Sequence, residues 1–481
     1  MDQPVIKLLR SQAYIDGEWV GEPSLPVVDK ATGALITKVP DMGAVETTAA
    51  IDAAARAFKT WSKVLAKDRS RILRRWYELI LEYSEELALL LTKEQGKPLA
   101  EAKGEIVYGA GFVEFFAEEA KRIYGETIPS HKADARIIVQ REPIGVIAAI
   151  SPWNFPIAMI TRKVTPALAA GCTAVVKPAE DTPLCALALA ELGERAGIPK
   201  GVFNVVTTGN PVPVGEVLTS DPRVRLVTFT GSTEVGKILM RQSAGTVKKV
   251  SLELGGNAPF IVFDDADLDR AVTGAMASKF RNAGQTCVCA NRILVQAGVY
   301  DAFAAKLAVE VGKLKVGSGV ETGVTIGPLI NGDAITKVED HVADAVAGGA
   351  RVVTGGRRSG TKGNFYEPTI LTGVTPDMKV AREETFGPVA PLFRFDTEEQ
   401  AIAMANDTPF GLAAYFYTRD LARTFRVGEA LEFGIIGVNE GLTSTELAPF
   451  GGFKESGLGR EGSRHGIEEF LEIKYLLVGG L

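Results

Sequence analysis

Histidine and cysteine are among the scarcest residues of this 481-residue chain, with three and four copies respectively. His131, His341 and His465 stand singly, and neither an HExxH nor a CxxC motif occurs. A zinc site therefore has no ligand set in the sequence, and we expect no metal site. Four cysteines without a regular spacing are typical of a reducing compartment rather than of a disulfide-rich secreted protein.

Long apolar runs and an excess of positive charge are also missing. The apolar stretch from Ile144 to Ile160 is interrupted by SPWNFP, so it is not a membrane-spanning helix. The start, MDQPVIKLLR, contains no apolar core of the kind found in a signal peptide. The net charge of −6 argues against a nucleic-acid partner. We expect a cytoplasmic protein that binds neither membranes nor nucleic acids.

What the chain does have is an ordinary globular composition and a repeated strand–helix pattern. Hydrophobic residues make up 46% and charged residues 23%, and the length favours two or three domains. Residues 43–124 have a helical pattern, 136–147 look like one long strand, and from Ile144 strands and helices alternate. The predicted strands are IGVIAAIS, TAVVK, VFNVV, VRLVTFT and KVSLEL, and the predicted helices cover 158–170, 183–196, 213–219 and 233–243. This pattern predicts a buried parallel sheet.

A second α/β region follows the first. It begins with the strand PFIVF, a helix over 267–282 and the strand RILVQ, and it runs to about residue 440. The C-terminal EIKYLLVGGL reads as a last strand. The fold class predicted from these patterns is α/β, with two sheet-based units.

The loops that follow the predicted strands of the first sheet contain distinctive residues. They are SPWN (151–154), KPAE (177–180), TGS (230–232) and LGG (254–256), the last directly after Glu253. The carboxyl ends of parallel strands meet at one edge, where ligands bind, so we expect a nucleotide site there. GSTEVG could offer backbone N–H groups to a pyrophosphate with Ser232 as helix cap, although an ordinary capped helix start explains it equally well. Lys177 could bind ribose hydroxyls or simply be solvated.

Two of the cysteines lie one residue apart in RNAGQTCVCANR, at Cys287 and Cys289. The other two, Cys172 and Cys185, lie in apolar stretches and fit a packed core. A thiol among Gly, Gln and Thr is a candidate nucleophile, because the thiolate is the reactive form. A structural cysteine in a loop is the alternative.

Five motifs, in order, resemble those of the aldehyde dehydrogenase superfamily over essentially the whole chain. They are SPWNFP, LELGGN, GQTCVCAN, EETFGP and PFGGFKESGLGREG. Three longer stretches, among them KFRNAGQTCVCANR, are similar to the bacterial succinate-semialdehyde dehydrogenase branch, which includes glutarate-semialdehyde enzymes. Each motif singly is weak, whereas the ordered set is specific.

The resemblance implies a catalytic set. Cys287 would be the nucleophile, Glu253 the general base, and Asn154 with the Cys287 backbone N–H the oxyanion hole. The residue types suit the chemistry: a thiolate adds to the aldehyde carbon, donors stabilise the oxyanion, and water activated by Glu253 hydrolyses the thioester. Glu253 would need a dry setting that raises its pKa.

The resemblance also implies a dinucleotide cofactor. The expected cofactor-binding residues are Ser151, Pro152, Trp153, Lys177, Glu180, Gly231, Ser232, Glu384 and Phe386. Many relatives that prefer NADP have a serine where this chain has Glu180. A carboxylate there accepts hydrogen bonds from ribose hydroxyls but repels a 2′-phosphate, so we expect a preference for NAD, with NADP possible.

An anionic substrate is implied by two arginines and a serine. Arg162, Arg281 and Ser444 match the residues that hold the substrate carboxylate in relatives, although surface arginines are the commoner case. Succinate semialdehyde is the expected substrate, with glutarate or oxoglutarate semialdehyde as alternatives. Cys289 matches a redox partner that forms a reversible, inactivating disulfide with Cys287 in relatives.

The resemblance implies a Rossmann-type nucleotide domain, a second α/β catalytic domain and a small β oligomerisation flap. We expect them at 1–126 with 148–253, at 254–447, and at 127–147 with 448–481, in a homodimer or homotetramer. Two rival functions remain: a coenzyme A-acylating enzyme, which Glu253 disfavours, and a catalytically silent nucleotide-binding or structural protein.

Overall fold

The computed structural model describes residues 6–360 and 363–481. The first five residues, part of the stretch examined for a signal peptide, lie outside these ranges. Within them, no helix is both long and apolar enough to cross a membrane.

Within the described ranges, the α-helices between residues 158 and 243 lie close to the positions predicted from the sequence. The α-helices of these ranges are α1 Ala44–Trp61, α2 Ala66–Glu82, α3 Ser84–Gln95, α4 Leu99–Glu119, α5 Ala158–Ala170, α6 Leu184–Ala196, α7 Pro211–Ser220, α8 Thr233–Ser243, α9 Leu268–Phe280, α10 Tyr300–Val311, α11 Gly332–Ala347, α12 Lys379–Arg382, α13 Glu398–Asn406 and α14 Leu421–Ala430. The predicted helices 158–170 and 233–243 are confirmed with these bounds, and 183–196 begins one residue later.

The strands are short and are distributed over several sheets. They are β1 Ala13–Ile15, β2 Glu18–Val20, β3 Pro23–Val28, β4 Leu35–Pro40, β5 Glu126–Ile128, β6 Ala135–Pro143, β7 Val146–Ile150, β8 Thr173–Lys177, β9 Phe203–Val205, β10 Val224–Thr230, β11 Lys249–Glu253, β12 Ala258–Val262, β13 Ala290–Gln296, β14 Arg351–Thr354, β15 Thr369–Thr372, β16 Val389–Phe395, β17 Phe410–Gly411, β18 Ala413–Tyr417, β19 Ile435–Val438, β20 Phe453–Lys454, β21 Gly457–Leu458 and β22 Leu471–Gly479.

The first large sheet has the order β2-β1-β9-β8-β7-β10-β11-β21. Its five central strands, β9 to β11 in that order, are parallel, and their side chains are mostly buried. Helices α2 to α6 cover one face and α1, α7 and α8 the other, each over an apolar core. The strand order reverses between β7 and β10, which is where an open parallel sheet forms its ligand crevice.

The second large sheet has the order β14-β15-β16-β13-β12-β18-β19. Its strands and the helices packed on it form the second large apolar core. All pairings in this sheet are parallel except β14 with β15. The expected α/β class with two sheet-based units is confirmed. The helix predicted over 267–282 ends at Phe280, because Asn282 and Ala283 have left-handed conformations with φ of 51° and 55°.

A third, three-stranded sheet has the order β22-β6-β5. The prediction of one strand over 136–147 is wrong, because β6 ends at Pro143 and β7 begins at Val146 in a different sheet. Gly145, with φ of 134°, turns the chain between the two sheets. The apolar pattern runs through this turn, so periodicity alone did not reveal it.

The C-terminal segment contributes to more than one sheet. β21 pairs with β11 of the first sheet, and β22 pairs with β6 over nine residues of each strand. The three-domain division and the oligomerisation role of 127–147 and 448–481 stay predictions.

Candidate active site

A cavity of about 300 Å³ lies between the carboxyl edge of the first sheet and the loop that carries the paired cysteines. Most of the predicted site residues line it: Pro152, Trp153, Asn154, Arg162, Gly231, Ser232, Arg281, Cys287, Glu384, Phe386 and Ser444. The predicted residues that do not line it are Ser151, Lys177, Glu180, Glu253 and Cys289. Residues far apart in the sequence are thus brought to one opening.

Close backbone contact joins the two halves of the site. Glu253 is the last residue of β11, and a Cβ atom on Gly256 would lie only 2.5 Å from the carbonyl oxygen of Cys287. Any side chain there would collide with backbone, so the second glycine of LGG is required by this approach. The end of β11 therefore lies directly against the cysteine loop.

The cysteine loop itself is held in a strained conformation. Asn282 and Ala283 are non-glycine residues with positive φ, an arrangement that costs roughly 1–3 kcal/mol per residue and is found at functional sites. The Asn282 N–H donates to Glu101 Oε2 (2.7 Å), and Gln95 Nε2 donates to Asn282 Oδ1 (3.0 Å). Helices α3 and α4, which pack on the first sheet, thus fix the loop from that side.

Asn154 is buried where β7 turns toward α5. Its Nδ2 donates to the backbone carbonyl of Gln285 (3.1 Å). The backbone carbonyl of Asn154 accepts from Lys97 Nζ (2.7 Å) and Asn282 Nδ2 (3.1 Å). An amide nitrogen has two hydrogens, so one of them is left for a ligand in the cavity.

Cys287 is partly exposed to the cavity, whereas its neighbours are buried. Burial raises the pKa of its thiol to about 12, opposed by the positive charge of Arg162. At neutral pH the group is therefore a thiol, and a base must remove its proton before it can act as a nucleophile.

Glu253 has the dry setting that a general base requires. It is 2% exposed, and neither carboxyl oxygen has a hydrogen-bond partner within the described residues. Burial raises its pKa well above the ordinary range, and repulsion from Glu461 adds to the rise, while Arg162 and Lys163 oppose it. A carboxyl in this state can take up a proton at neutral pH.

Glu461 forms ion pairs with both Arg162 and Lys163, all three in the interior. Burial alone would lower the pKa of Arg162, but the Glu461 carboxylate raises it above the ordinary value. The Arg162 guanidinium lies 4.4 Å from the centre of the Phe450 ring, and its Nη2 has no hydrogen-bond partner among the described residues. One face of this arginine is thus left for a ligand.

The sequence reasoning missed Glu461. Two adjacent cations in an α5 helix whose every residue is buried were the available signal. Such cations need a buried anion, because an unpaired buried charge is strongly destabilising. The signal predicts an acid but not which one, since Glu461 lies almost 300 residues away in the sequence.

The cavity lining also includes residues that are expected to contact the dinucleotide. Glu384 Oε1 accepts from the Gly256 N–H (3.2 Å), and burial raises its pKa to about 7. Phe386 has φ of 54°, and its ring meets the Trp153 ring edge-on at 5.5 Å between centroids. Ser232 caps α8 by accepting from the Val235 N–H (3.3 Å).

Lys177 and Glu180 form an ion pair with each other at the end of β8. The Lys177 carbonyl accepts from the Ser151 N–H (3.1 Å), which links the ends of β8 and β7. Two hydroxyl groups at this edge, Ser151 Oγ and Thr230 Oγ1, are buried without a partner among the described residues. Unpartnered donors at the ends of β7 and β10, where the strand order reverses, fit a polar ligand such as a dinucleotide.

Residues 19–476 match the model of the aldehyde dehydrogenase family. The chain belongs to this family. Over 476 residues, 98% of each chain, it is 64% identical to the NADP(+) succinate-semialdehyde dehydrogenase GabD of Escherichia coli (strain K12). It is 63% identical over 478 residues, 99% of each chain, to a glutarate-semialdehyde dehydrogenase of Pseudomonas aeruginosa.

The fold of this aldehyde dehydrogenase is likewise that of its relatives. A crystal structure of succinate-semialdehyde dehydrogenase from Burkholderia pseudomallei superposes with a TM-score of 0.97 at 62% identity, covering 100% of this chain and 99% of that one. The family and fold class expected from the motifs are therefore confirmed.

The second cysteine of this aldehyde dehydrogenase does not line the cavity. Cys289 is buried, its Sγ lies 3.3 Å from the Gly284 carbonyl oxygen, and Lys279 Nζ lies 3.7 Å from the sulfur. Both Cys287 and Cys289 are free thiols in this structure.

Proposed function

We propose that this aldehyde dehydrogenase oxidises a small ω-carboxylated aldehyde, succinate semialdehyde first among them, to the dicarboxylic acid. The observation that carries the proposal is the presence of Arg162 and Arg281 on the wall of the same cavity as Cys287. Arg162 keeps an unpaired Nη2, and the Arg281 guanidinium lies over the Phe155 ring at 5.1 Å. A guanidinium fork suits a carboxylate, and Ser444 on the same wall supplies a hydroxyl.

The first chemical step is the addition of Cys287 to the aldehyde carbon. The carbonyl oxygen gains negative charge as the sulfur–carbon bond forms, and the free Asn154 Nδ2 hydrogen and the Cys287 N–H are the proposed donors to it. The proton of the thiol has to leave, and the carboxylate of Glu253 is the proposed acceptor. Its charge, like that of Glu384, acts on the thiol and raises its pKa.

The second step releases the acid. A bound NAD(P) supplies the hydride acceptor for this oxidation. Once the proton taken from the thiol has passed to solvent, Glu253 takes a proton from water as the water attacks the thioester on Cys287. The carbon–sulfur bond breaks, Cys287 leaves as the thiolate, and the product is a dicarboxylic acid. The unpartnered carboxyl of Glu253 supports this role, because no group among the described residues competes with water for its two oxygens.

We propose a preference for NAD over NADP. The Glu180 carboxylate repels a 2′-phosphate at the position where Lys177 would meet the ribose, and the ion pair between the two already uses the lysine charge. The similar E. coli enzyme is named for NADP(+), so the proposed preference would distinguish this chain from that enzyme. Comparison of kcat/KM for both cofactors tests it: Glu180→Ser should raise the NADP value about tenfold, and a clear wild-type preference for NADP would overturn it.

The substrate class is tested by removing a guanidinium. Arg281→Ala should raise KM for succinate semialdehyde about 10–100-fold while changing KM for butanal less than about threefold, because only the first aldehyde carries a carboxylate. Arg394→Ala is the matched control: its guanidinium also lies over an aromatic ring, Tyr300, but away from the cavity. Equal effects of Arg281→Ala on both aldehydes would refute the anionic pocket.

Chain length and acceptor are the finer questions. A kinetic panel with succinate, glutarate and oxoglutarate semialdehydes ranks the chain lengths. We propose water as the acyl acceptor, so NADH formation should not depend on coenzyme A. A protein that binds the dinucleotide but forms no NADH with any of these aldehydes would be the silent alternative.

We also propose a homodimer or homotetramer in the cytoplasm. Strand β22 exposes Ile473, Tyr475 and Leu477, with 71%, 57% and 41% of their surface accessible, beside its partner β6. An apolar row on an exposed sheet is a typical subunit contact. Light scattering after Tyr475→Lys should report a smaller mass than the wild type, and an unchanged mass would contradict this interface.

A further inference from the structure

The segment Glu383–Gly387, which carries two of the proposed cofactor residues, is clamped by helix α11. His341 of this helix is 1% exposed; its Nδ1 lies 3.1 Å from Thr385 Oγ1 and its Nε2 lies 3.2 Å from Glu383 Oε2. Val338, one turn earlier, packs so closely that a Cβ atom on Gly387 would lie 2.4 Å from it. The helix therefore contacts the segment on both sides of Glu384.

The other side of the segment is held by a separate group. Asn291 Nδ2 donates to the Glu383 carbonyl (3.0 Å), and Asn291 Oδ1 accepts from the Thr385 N–H (3.4 Å). Phe386 needs this support because a bulky side chain with φ of 54° is strained. Asn291 fixes the backbone, so the remaining freedom of the segment lies in the Thr385 side chain that His341 meets.

The bonding partners fix which ring nitrogen carries the proton. The Glu383 carboxylate only accepts, so His341 Nε2 donates to it and Nδ1 is the acceptor. The Thr385 hydroxyl then donates to Nδ1 and keeps its lone pairs free. Thr385 lines the cavity beside Glu384 and Phe386. The orientation of its hydroxyl therefore affects the part of the cavity proposed to hold the cofactor.

We infer that His341 is a positioning residue for the cofactor: through Thr385 it locks the segment that presents Glu384 and Phe386 to the dinucleotide. The inference rests on the proposed function, because it assumes that a dinucleotide occupies this end of the cavity. His341 touches neither the cavity nor the reacting atoms, so its effect should appear in cofactor affinity and not in the chemical steps.

The contact persists in acid with its direction reversed. A protonated His341 donates from both nitrogens, and the Thr385 hydroxyl then accepts at Oγ1. Burial lowers the pKa of His341, and the nearby Lys337 lowers it further, while Glu383 and Asp340 raise it; Lys379 binds Asp340 in turn. The net direction is downward, so the ring is neutral at about pH 8, where Nδ1 accepts and the Thr385 hydroxyl donates.

The experiment measures binding without turnover, by energy transfer from tryptophan to bound NADH. At about pH 8, His341→Leu and Thr385→Val should each raise the Kd of NADH about tenfold, because each removes the same buried hydrogen bond. The double variant should be no weaker than the worse single variant, since both act through one contact. With saturating NAD, kcat should stay within about twofold of the wild type.

His341→Asn is the conservative control, because its amide occupies roughly the place of Nδ1 and does not titrate. It should bind NADH about as well as the wild type near pH 8. Tight binding by His341→Asn together with weak binding by His341→Leu identifies the hydrogen bond to Thr385, and not the bulk of the ring, as the cause.

The outcomes separate cleanly. Wild-type affinity in His341→Leu, additive effects in the double variant, or an affinity in His341→Asn as weak as in His341→Leu would each overturn the role of His341 and leave the proposed function standing. A wild-type protein that binds neither NADH nor NADPH would overturn both. Thermal unfolding of each variant shows whether a loss of affinity is merely a loss of folding.

Discussion

Around the proposed cofactor site the charged side chains Lys177, Glu180 and Glu384 have partners within the chain, and the unpartnered groups named above are neutral hydroxyls. In contrast, the carboxyl of the proposed general base has no hydrogen-bond partner among the described residues. Lys177 pairs with Glu180, and Glu384 accepts from Gly256. Among the described catalytic residues, both Glu253 oxygens and Asn154 Oδ1 lack a partner.

The difference is instructive because an unpartnered buried polar atom costs about 1–3 kcal/mol. A site that binds a ligand can pair its own charged groups and leave neutral hydroxyls for the ligand. A site that moves protons must keep its carboxyl oxygens free for water and thiol. The comparison therefore predicts different consequences of mutation in the two regions.

The largest expected effect is at the nucleophile. Cys287→Ser should lower kcat by more than about a thousandfold, because a hydroxyl in this setting is a far poorer nucleophile than a thiol. NADH formation in the steady state is the measurement. NADH binding should be unchanged, since the cofactor end is intact. Full turnover by this variant would remove the basis of the proposed mechanism.

Glu253→Gln should lower the steady-state kcat about a hundredfold or more, because an amide cannot take the proton from water. If its main role is in hydrolysis, a rapid burst of about one NADH per site should precede the slow phase. Glu94→Gln is the control, a fully buried carboxyl with a pKa of about 7 that caps α6 away from the cavity. The same loss of turnover in the control would mean that burial, and not position, matters.

The redox prediction concerns the cysteine pair. Peroxide should inactivate the wild type, and dithiothreitol should restore most of the activity, if a Cys287–Cys289 disulfide protects the nucleophile from irreversible oxidation. In Cys289→Ala, recovery should fall below about a tenth of the lost activity. Cys172→Ala, which removes a buried thiol elsewhere, should recover like the wild type. If Cys289→Ala recovered as much activity as the wild type, the proposed Cys287–Cys289 disulfide would be refuted.

The smallest effect is on stability at the cofactor end. Burial raises the pKa of Glu384 to about 7, so the folded protein holds a proton that the unfolded chain loses above about pH 4.5. The free energy of unfolding should therefore fall as pH rises from about 4.5 to above 7, by about 3 kcal/mol from this group. Glu384→Gln should unfold with a shallower pH dependence over that range. An unchanged slope in urea titrations would contradict the raised pKa.

Much of the fold was predictable because its signals are local. The parallel strands are continuous apolar runs, and α5 and α8 have the bounds that periodicity predicts. The break between β6 and β7 was not predictable, because Gly145 interrupts no apolar pattern and the change of sheet depends on distant partners. The end of α9 before Asn282 was missed for a similar reason: the strain there is supported by α3 and α4.

The site divides in the same way. Asn154, Glu253 and Ser232 lie at or just beyond strand ends, and topology alone places such positions at one edge. Partners across the fold left weaker signals. The sequence around Lys163 does not indicate that its partner is Glu461. Likewise, the sequence around His341 does not indicate that it contacts Thr385.

The sequence by itself determined the elements, the edge at which the motifs gather and the family, because apolar periodicity, turn residues and ordered motifs are properties of the chain read in order. Only the tertiary structure decided which charges are buried together, which polar atoms are left without partners and what holds the Glu383–Gly387 segment. These depend on distances between residues far apart in the chain, and burial, which sets the pKa of Glu253 and Cys287, exists only once the two sheets have closed on the cavity.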